Sequence, residues 1–227
     1  PGCRRAGHRR HDLTMAVQAK ICGISTPETL DAALLGGASH IGFVFFPKSP
    51  RNVPVEAAAA LVQRMAGRAR SVALFVDPDP VFMAETMQRG GFDVAQFHGE
   101  ESPAFVTEAA RQLGVEAWKA IPVRTRADLD LAETYRGAAS RVLYDAKPPK
   151  SADLPGGTGM RFDWSLLDGF AHPLPWILAG GLDPDNVLDA IGRTGSRFVD
   201  VSSGVESAPG IKDVDKIAAF LKATRSL

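Results

Sequence analysis

From residue 17 onward, short β-branched apolar runs alternate with amphipathic stretches, and this rhythm repeats eight times. The runs are Ala19–Cys22, His40–Phe45, Val72–Val76, Val94–His98, Ala117–Ile121, Val142–Asp145, Trp176–Ala179 and Phe198–Val201. Between them, Pro54–Met65, Pro80–Arg89, Pro103–Leu113, Arg126–Tyr135 and Pro184–Ile191 read as helices. Proline near a helix start suits the first turn, where its missing N–H costs nothing. Gly36, Gly90 and Gly114 stand where such helices should stop. Strands spaced about 22 to 34 residues apart, each followed by a helix, require parallel pairing through right-handed crossovers. An open doubly wound sheet would also satisfy the alternation. Eight units without an early G-x-G-x-x-G favour closure instead, so the expected fold is α/β, a single (β/α)8 TIM barrel.

The charge balance excludes several functions. With 26 basic and 26 acidic residues, the chain lacks the basic excess of a nucleic-acid binder. Its uncharged stretches are broken well before the roughly 20 residues of a membrane helix. Two cysteines, Cys3 and Cys22, are too few for a disulfide framework and fit a cytoplasmic setting. Residues 1–14 hold four Arg against one Asp, which leaves the remainder with 22 basic and 25 acidic residues, net −3. This basic tail is set apart, as a disordered or added segment, from the barrel domain of residues 15–227. The five histidines show no metal-ligand spacing, so no metal is expected.

Function in such a barrel gathers at the C-terminal ends of the strands. Glycine-rich segments follow strands six, seven and eight: Gly156-Gly157-Thr158-Gly159, Gly180-Gly181 and Ser202-Ser203-Gly204. Backbone N–H groups there suit a phosphate, and glycine allows the close approach. Tight βα turns would use the same residues. Arg51, after strand two, brings a planar fork that matches a carboxylate or a phosphate. Cys22 ends strand one and Asp145 ends strand six. A thiolate can take a proton from carbon and a buried carboxylic acid can give one, a pairing suited to a proton-moving isomerisation that opens a ring. A buried cysteine can also be a small hydrophobe, and a strand-end aspartate can be a cap.

Several collinear segments carry a family resemblance. They are Lys20-Ile21-Cys22-Gly23-Ile24, Gly42-Phe43-Val44-Phe45, Ser49-Pro50-Arg51, Gln96-Phe97-His98-Gly99-Glu100, Leu178-Ala179-Gly180-Gly181-Leu182 and Asp200-Val201-Ser202-Ser203-Gly204-Val205-Glu206. In this order, and from about residue 17 to the end, the chain resembles phosphoribosylanthranilate isomerase of tryptophan biosynthesis. The resemblance implies an Amadori-type isomerisation of a phosphosugar–anthranilate substrate, without a cofactor. By position, Cys22 would be the general base at sugar C2 and Asp145 the general acid at the furanose oxygen. Arg51 would pair with the anthranilate carboxylate, and Gly157, Gly181, Ser203 and Gly204 would hold the phosphate. His98 and Asp200 would add substrate contacts. Both monomer and homodimer stay open. Two other readings remain: a histidine-pathway phosphosugar isomerase, which would use two carboxylates, and a non-catalytic barrel that binds phosphorylated metabolites. Pro47–Arg51 and Ala146–Thr158 are the loops that could close over a substrate.

Overall fold

The structure, a computed structural model, describes residues 16–147, 156–157 and 159–226. The expectations for the 1–14 tail, and most of the Ala146–Thr158 loop, lie outside these residues.

Strands β1 (Gln18–Cys22), β2 (His40–Phe45), β3 (Arg70–Phe75), β4 (Val94–Phe97), β5 (Glu116–Val123), β6 (Arg141–Ala146), β7 (Trp176–Leu178) and β8 (Phe198–Val201) form a closed barrel in chain order. Every barrel pairing given is parallel, and β8 closes on β1 with Lys20 opposite Asp200. The expected (β/α)8 architecture is therefore present. Strand β5 runs two residues past Ile121, which is consequently a buried strand residue and not a strand end. Strand β4 stops at Phe97 and leaves His98 just beyond it.

Alternation along the strands decides what packs where. One parity, including Ile21, Ile41, Phe43, Ala73, Phe97 and Val142, joins the helices in the large outer core. The other parity fills the barrel with Val72, Val94, Trp118, Ala120, Leu143, Ile177, Ala179 and Phe198. Cys22, Val44 and Leu74 cluster separately on this inward parity.

Helices α1 (Pro27–Leu35), α2 (Val55–Met65), α3 (Pro80–Gly90), α4 (Pro103–Leu113), α5 (Val187–Thr194) and α6 (Val214–Arg225) connect the strands. Thr26, Asp79, Ser102 and Asp213 cap α1, α3, α4 and α6 by accepting backbone N–H bonds. Helix α3 ends at the expected Gly90, but the left-handed cap, at φ 63°, is Gly91. Gly90 is needed for a different reason: a β-carbon there would lie 2.0 Å from the Phe92 ring. Helix α5 starts three residues later than expected. Asp183 accepts the N–H groups of Asp185 and Asn186, which keeps that stretch in a turn. Arg126–Tyr135 is a 3₁₀ helix. Its buried residues Leu129, Ala132 and Tyr135 recur every third position, the period of that helix. No helix among the described residues is long and apolar enough to cross a membrane.

At the N-terminal end of the interior, His40 packs against Phe198 and Trp118 with ring centroids 4.7 and 5.2 Å away. Burial drives its pKa down to about 4. His172, stacked on Trp176 at 4.3 Å, is likewise pushed down to about 4 by burial. Both folded values lie below the unfolded value of about 6.5. The unfolded chain therefore takes up these protons first, and stability is lost as the pH falls from 6.5 toward 4. Urea midpoints should decline steadily between about pH 6.5 and 5; a flat profile there would contradict the burial of both imidazoles as neutral groups.

Candidate active site

The C-terminal ends of the strands surround a cavity of about 740 Å³. Cys22, Asp145, Arg51 and His98 line it, as do Asp200, Gly157, Gly181 and Ser203. Gly204 does not. A β-carbon at Gly204 would fall 1.9 Å from the Leu182 carbonyl oxygen, so its place in the chain is explained by close backbone packing.

Asp145 stands on the β6 wall. Its Oδ1 accepts the Ala146 N–H at 2.8 Å, and its Oδ2 lies 3.1 Å from His98 Nε2. His98 is backed by Gln96, whose Nε2 is 3.4 Å from Nδ1. Gly156 folds over this pair: a side chain there would meet Asp145 Oδ2 at 2.6 Å and His98 Nε2 at 2.7 Å. His98 thus serves the carboxyl group of Asp145 directly, a contact that its position in the sequence did not disclose.

Cys22 lies on the β1 wall, buried at the strand end. Two residues earlier on the same parity is Lys20, which has no exposed surface. Its ammonium sits 2.9 Å from Asp200 Oδ1. Asp200 therefore lines the cavity while already engaged by a cation from the neighbouring strand. Burial pushes the Cys22 thiol above its usual range, and the positive charge of Lys20 is the largest effect opposing it. Lys20 stays protonated: burial works against its charge, but Asp200 and Cys22 together more than offset it and raise its pKa.

The third wall is a buried ion network. After β8, a 3₁₀ turn (Ser203–Val205) leads into a short antiparallel hairpin, β9 (Glu206–Ala208) and β10 (Ile211–Lys212). Glu206 takes Arg51 Nε at 2.7 Å and Nη2 at 2.8 Å, a two-pronged pair. Lys212 Nζ binds the same carboxylate at 2.7 Å and the Ser202 carbonyl at 2.9 Å. Burial raises the Glu206 pKa, but Arg51 and Lys212 together hold it below the usual carboxylate range. Arg51 Nη2 also donates to the Gly157 carbonyl at 3.1 Å. This leaves Nη1 as the guanidinium nitrogen with no partner among the described residues. At the hairpin tip, Gly210 has φ 81°, and its α-carbon is so close to Pro50 that a β-carbon would lie 2.4 Å from the Pro50 carbonyl oxygen. The hairpin thereby presses onto the Ser49-Pro50-Arg51 loop.

Gly157 sits beside the Arg51 fork, whereas Gly159 faces Ser203, whose Oγ would be 3.7 Å from a β-carbon there. The residues singled out in the sequence, Gly204 excepted, line this one cavity, but the sequence reading assigned no role to Lys20, Glu206 or Lys212. The hairpin strands are three and two residues long and carry no periodic signal. The juxtaposition of Lys20 and Cys22 was legible, since residues two apart share a strand face. Removing Glu206 would leave two buried cations without their shared carboxylate. Glu206→Ala should cost about 3–5 kcal/mol of unfolding free energy in urea denaturation; a loss below about 1 kcal/mol would mean the network is solvated.

Comparison with known proteins agrees with this geometry. The family model described as N-(5'phosphoribosyl)anthranilate (PRA) isomerase matches residues 19–223. The N-(5'-phosphoribosyl)anthranilate isomerase of Paramagnetospirillum magneticum is 51% identical over 211 residues, covering 93% of this chain and 98% of its own. That of Zymomonas mobilis subsp. pomaceae is 52% identical over 214 residues, covering 94% and 100%. Among solved structures, phosphoribosyl anthranilate isomerase from Thermotoga maritima superimposes with a TM-score of 0.82 at 34% identity, covering 93% of this chain and 100% of that one. A phosphoribosyl anthranilate isomerase in complex with reduced 1-(o-carboxyphenylamino)-1-deoxyribulose 5-phosphate gives 0.81 at 32%, with the same coverage.

Proposed function

The chain belongs to the N-(5'-phosphoribosyl)anthranilate isomerase family, and on that premise we propose how its residues perform the reaction. The enzyme converts N-(5'-phosphoribosyl)anthranilate to 1-(2-carboxyphenylamino)-1-deoxyribulose 5-phosphate, an aldose–ketose isomerisation of tryptophan biosynthesis. The observation that carries the residue assignment is the arrival of a thiol from β1 and a carboxyl from β6 at one cavity.

Asp145 gives its proton to the furanose oxygen as the C1–O bond breaks and the nitrogen lone pair forms the C1=N iminium. Cys22, as thiolate, takes the proton from C2. The released electron pair makes the C1=C2 bond and neutralises the nitrogen, giving an enolamine. Loss of the C2 hydroxyl proton and protonation of C1 complete the ketose. Substrate and product have the same hydrogen count, because C2 is oxidised as C1 is reduced. Return of a proton from Cys22 to Asp145 through solvent resets the site. His98 orients the Asp145 carboxyl so that it faces the sugar.

The substrate brings two anionic groups, and two parts of the cavity suit them. Arg51 is held rigidly by Glu206, with Nη1 left to meet the anthranilate carboxylate. The loops at Gly181 and Ser203 also line the cavity and suit the phosphate, as do Gly157 and Gly159.

Turnover is followed by the fluorescence change as the anthranilate-linked substrate is consumed. Cys22→Ala and Asp145→Asn should each lower kcat by roughly 10²–10⁴-fold, with KM within a few-fold of the parent. Near-parental turnover in either variant would remove that residue from the mechanism. Arg51→Ala should raise KM more than it lowers kcat. An unchanged KM would place the carboxylate elsewhere.

A further inference from the structure

Five charged side chains meet below the mouth, around the seam between β1 and β8: Lys20, Asp200, Lys212, Glu206 and Arg51. All are at most 8% exposed. Three are cations and two are anions, so the cluster carries one uncompensated positive charge while Cys22 is a neutral thiol. Each cation has a carboxylate partner, but Glu206 is shared, and a net buried charge is costly; ionisation of the adjacent thiol would balance it.

The geometry identifies which cation the sulfur answers to. Lys20 Nζ and Cys22 Sγ converge on the same notch above Gly42. A β-carbon on Gly42 would stand 3.0 Å from the nitrogen and 2.9 Å from the sulfur, so the two atoms are at most about 6 Å apart. Only a glycine at this point of β2 leaves the space in which they meet. Lys212, by comparison, already spends its charge on Glu206 and its hydrogen bonds on Ser202.

We propose that Lys20, fixed in place by Asp200, is a positioning residue whose charge, set against the Cys22 sulfur, draws Cys22 toward its proton-accepting thiolate form. The charged groups facing Cys22 are Lys20 on its own strand, Asp200 on β8 and Lys212 on β10; β2 presents the uncharged Gly42 and Val44. Burial and Asp200 favour the thiol, and the two lysines favour the thiolate, Lys20 more strongly. Asp200 has two opposed effects: it fixes the ammonium at the sulfur and tempers its charge. The inference rests on the reading of Cys22 as the base, but its test does not require catalysis.

The test is the pH dependence of Cys22 alkylation by iodoacetamide in the ligand-free enzyme, with the peptide resolved by mass spectrometry to separate it from Cys3. In Lys20→Met, alkylation at pH 7 should slow at least about tenfold and its midpoint should move up in pH. In Asp200→Asn the midpoint should move down, a reversal of sign that a purely structural role for the pair would not produce. Lys20→Met also strands a buried carboxylate, so the doubly neutral Lys20→Met/Asp200→Asn enzyme guards against misfolding. Its midpoint should still lie above that of the parent, because Lys20 outweighs Asp200. The turnover lost in Lys20→Met should return in part as the pH is raised. A midpoint at or below the parental value in folded Lys20→Met, or in the double variant, would overturn the proposal. If Cys22→Ala kept its activity while the midpoints moved as stated, the base assignment would fall and the Lys20–Cys22 coupling would stand.

Discussion

Lys20 and Asp200 face each other across the β1–β8 seam, where the barrel closes. An ion pair in that position is under a strict constraint. Strand parity points both side chains into the barrel, where water is scarce, so each charge is costly there without the other. The pair therefore ties closure of the barrel to the electrostatics of its mouth. The same strand that brings Lys20 inward places Cys22 two residues further on, at the rim of the cavity. The opposite parity of β1 and β8, Ile21, Val199 and Val201, belongs to the outer hydrophobic core.

A second network repeats the logic one level higher. Glu206, delivered by a hairpin of minimal length, binds Arg51 from the loop after β2 and Lys212 from its own partner strand. A free arginine at the rim would lose several rotatable bonds on meeting a carboxylate, at an entropic cost. Here the fork is fixed before substrate arrives. The barrel domain is net acidic apart from its basic tail, yet its substrate is an anion. The structure reconciles the two by concentrating cations within the walls of the mouth and holding three of them, Lys20, Arg51 and Lys212, on two carboxylates.

Much of this was legible in the sequence. The alternation of apolar runs located all eight strands, and the rule that function lies at their C-terminal ends selected Cys22, Asp145, Arg51 and His98 without knowledge of any contact. Where the reading missed, the reason is physical. Gly90 does end its helix, but the cap is Gly91, because a glycine there marks either a left-handed cap or a close packing contact, and only the neighbouring ring decides between them. The Arg126–Tyr135 segment carries its buried residues at intervals of three, a 3₁₀ signature that resembles an α-helix over so short a span. Glu206 and Arg51 are 155 residues apart, and nothing local in the chain announces their meeting. Gly204 matched a phosphate-loop pattern, and its close packing against the Leu182 backbone, 22 residues away in the chain, is a separate reason for glycine that the pattern does not disclose.

The central claim is that a thiol on β1 and a carboxyl on β6 address the same sugar from opposite walls. A crystal structure of this enzyme with reduced 1-(o-carboxyphenylamino)-1-deoxyribulose 5-phosphate tests it most directly. The account predicts Cys22 Sγ in near-attack range of sugar C2, about 3–3.5 Å away. It predicts Asp145 within hydrogen-bond reach, about 2.6–3.2 Å, of the oxygen that closed the furanose ring. An analogue seated with C2 turned away from Cys22, or with both side chains on the same face of the sugar, would contradict it.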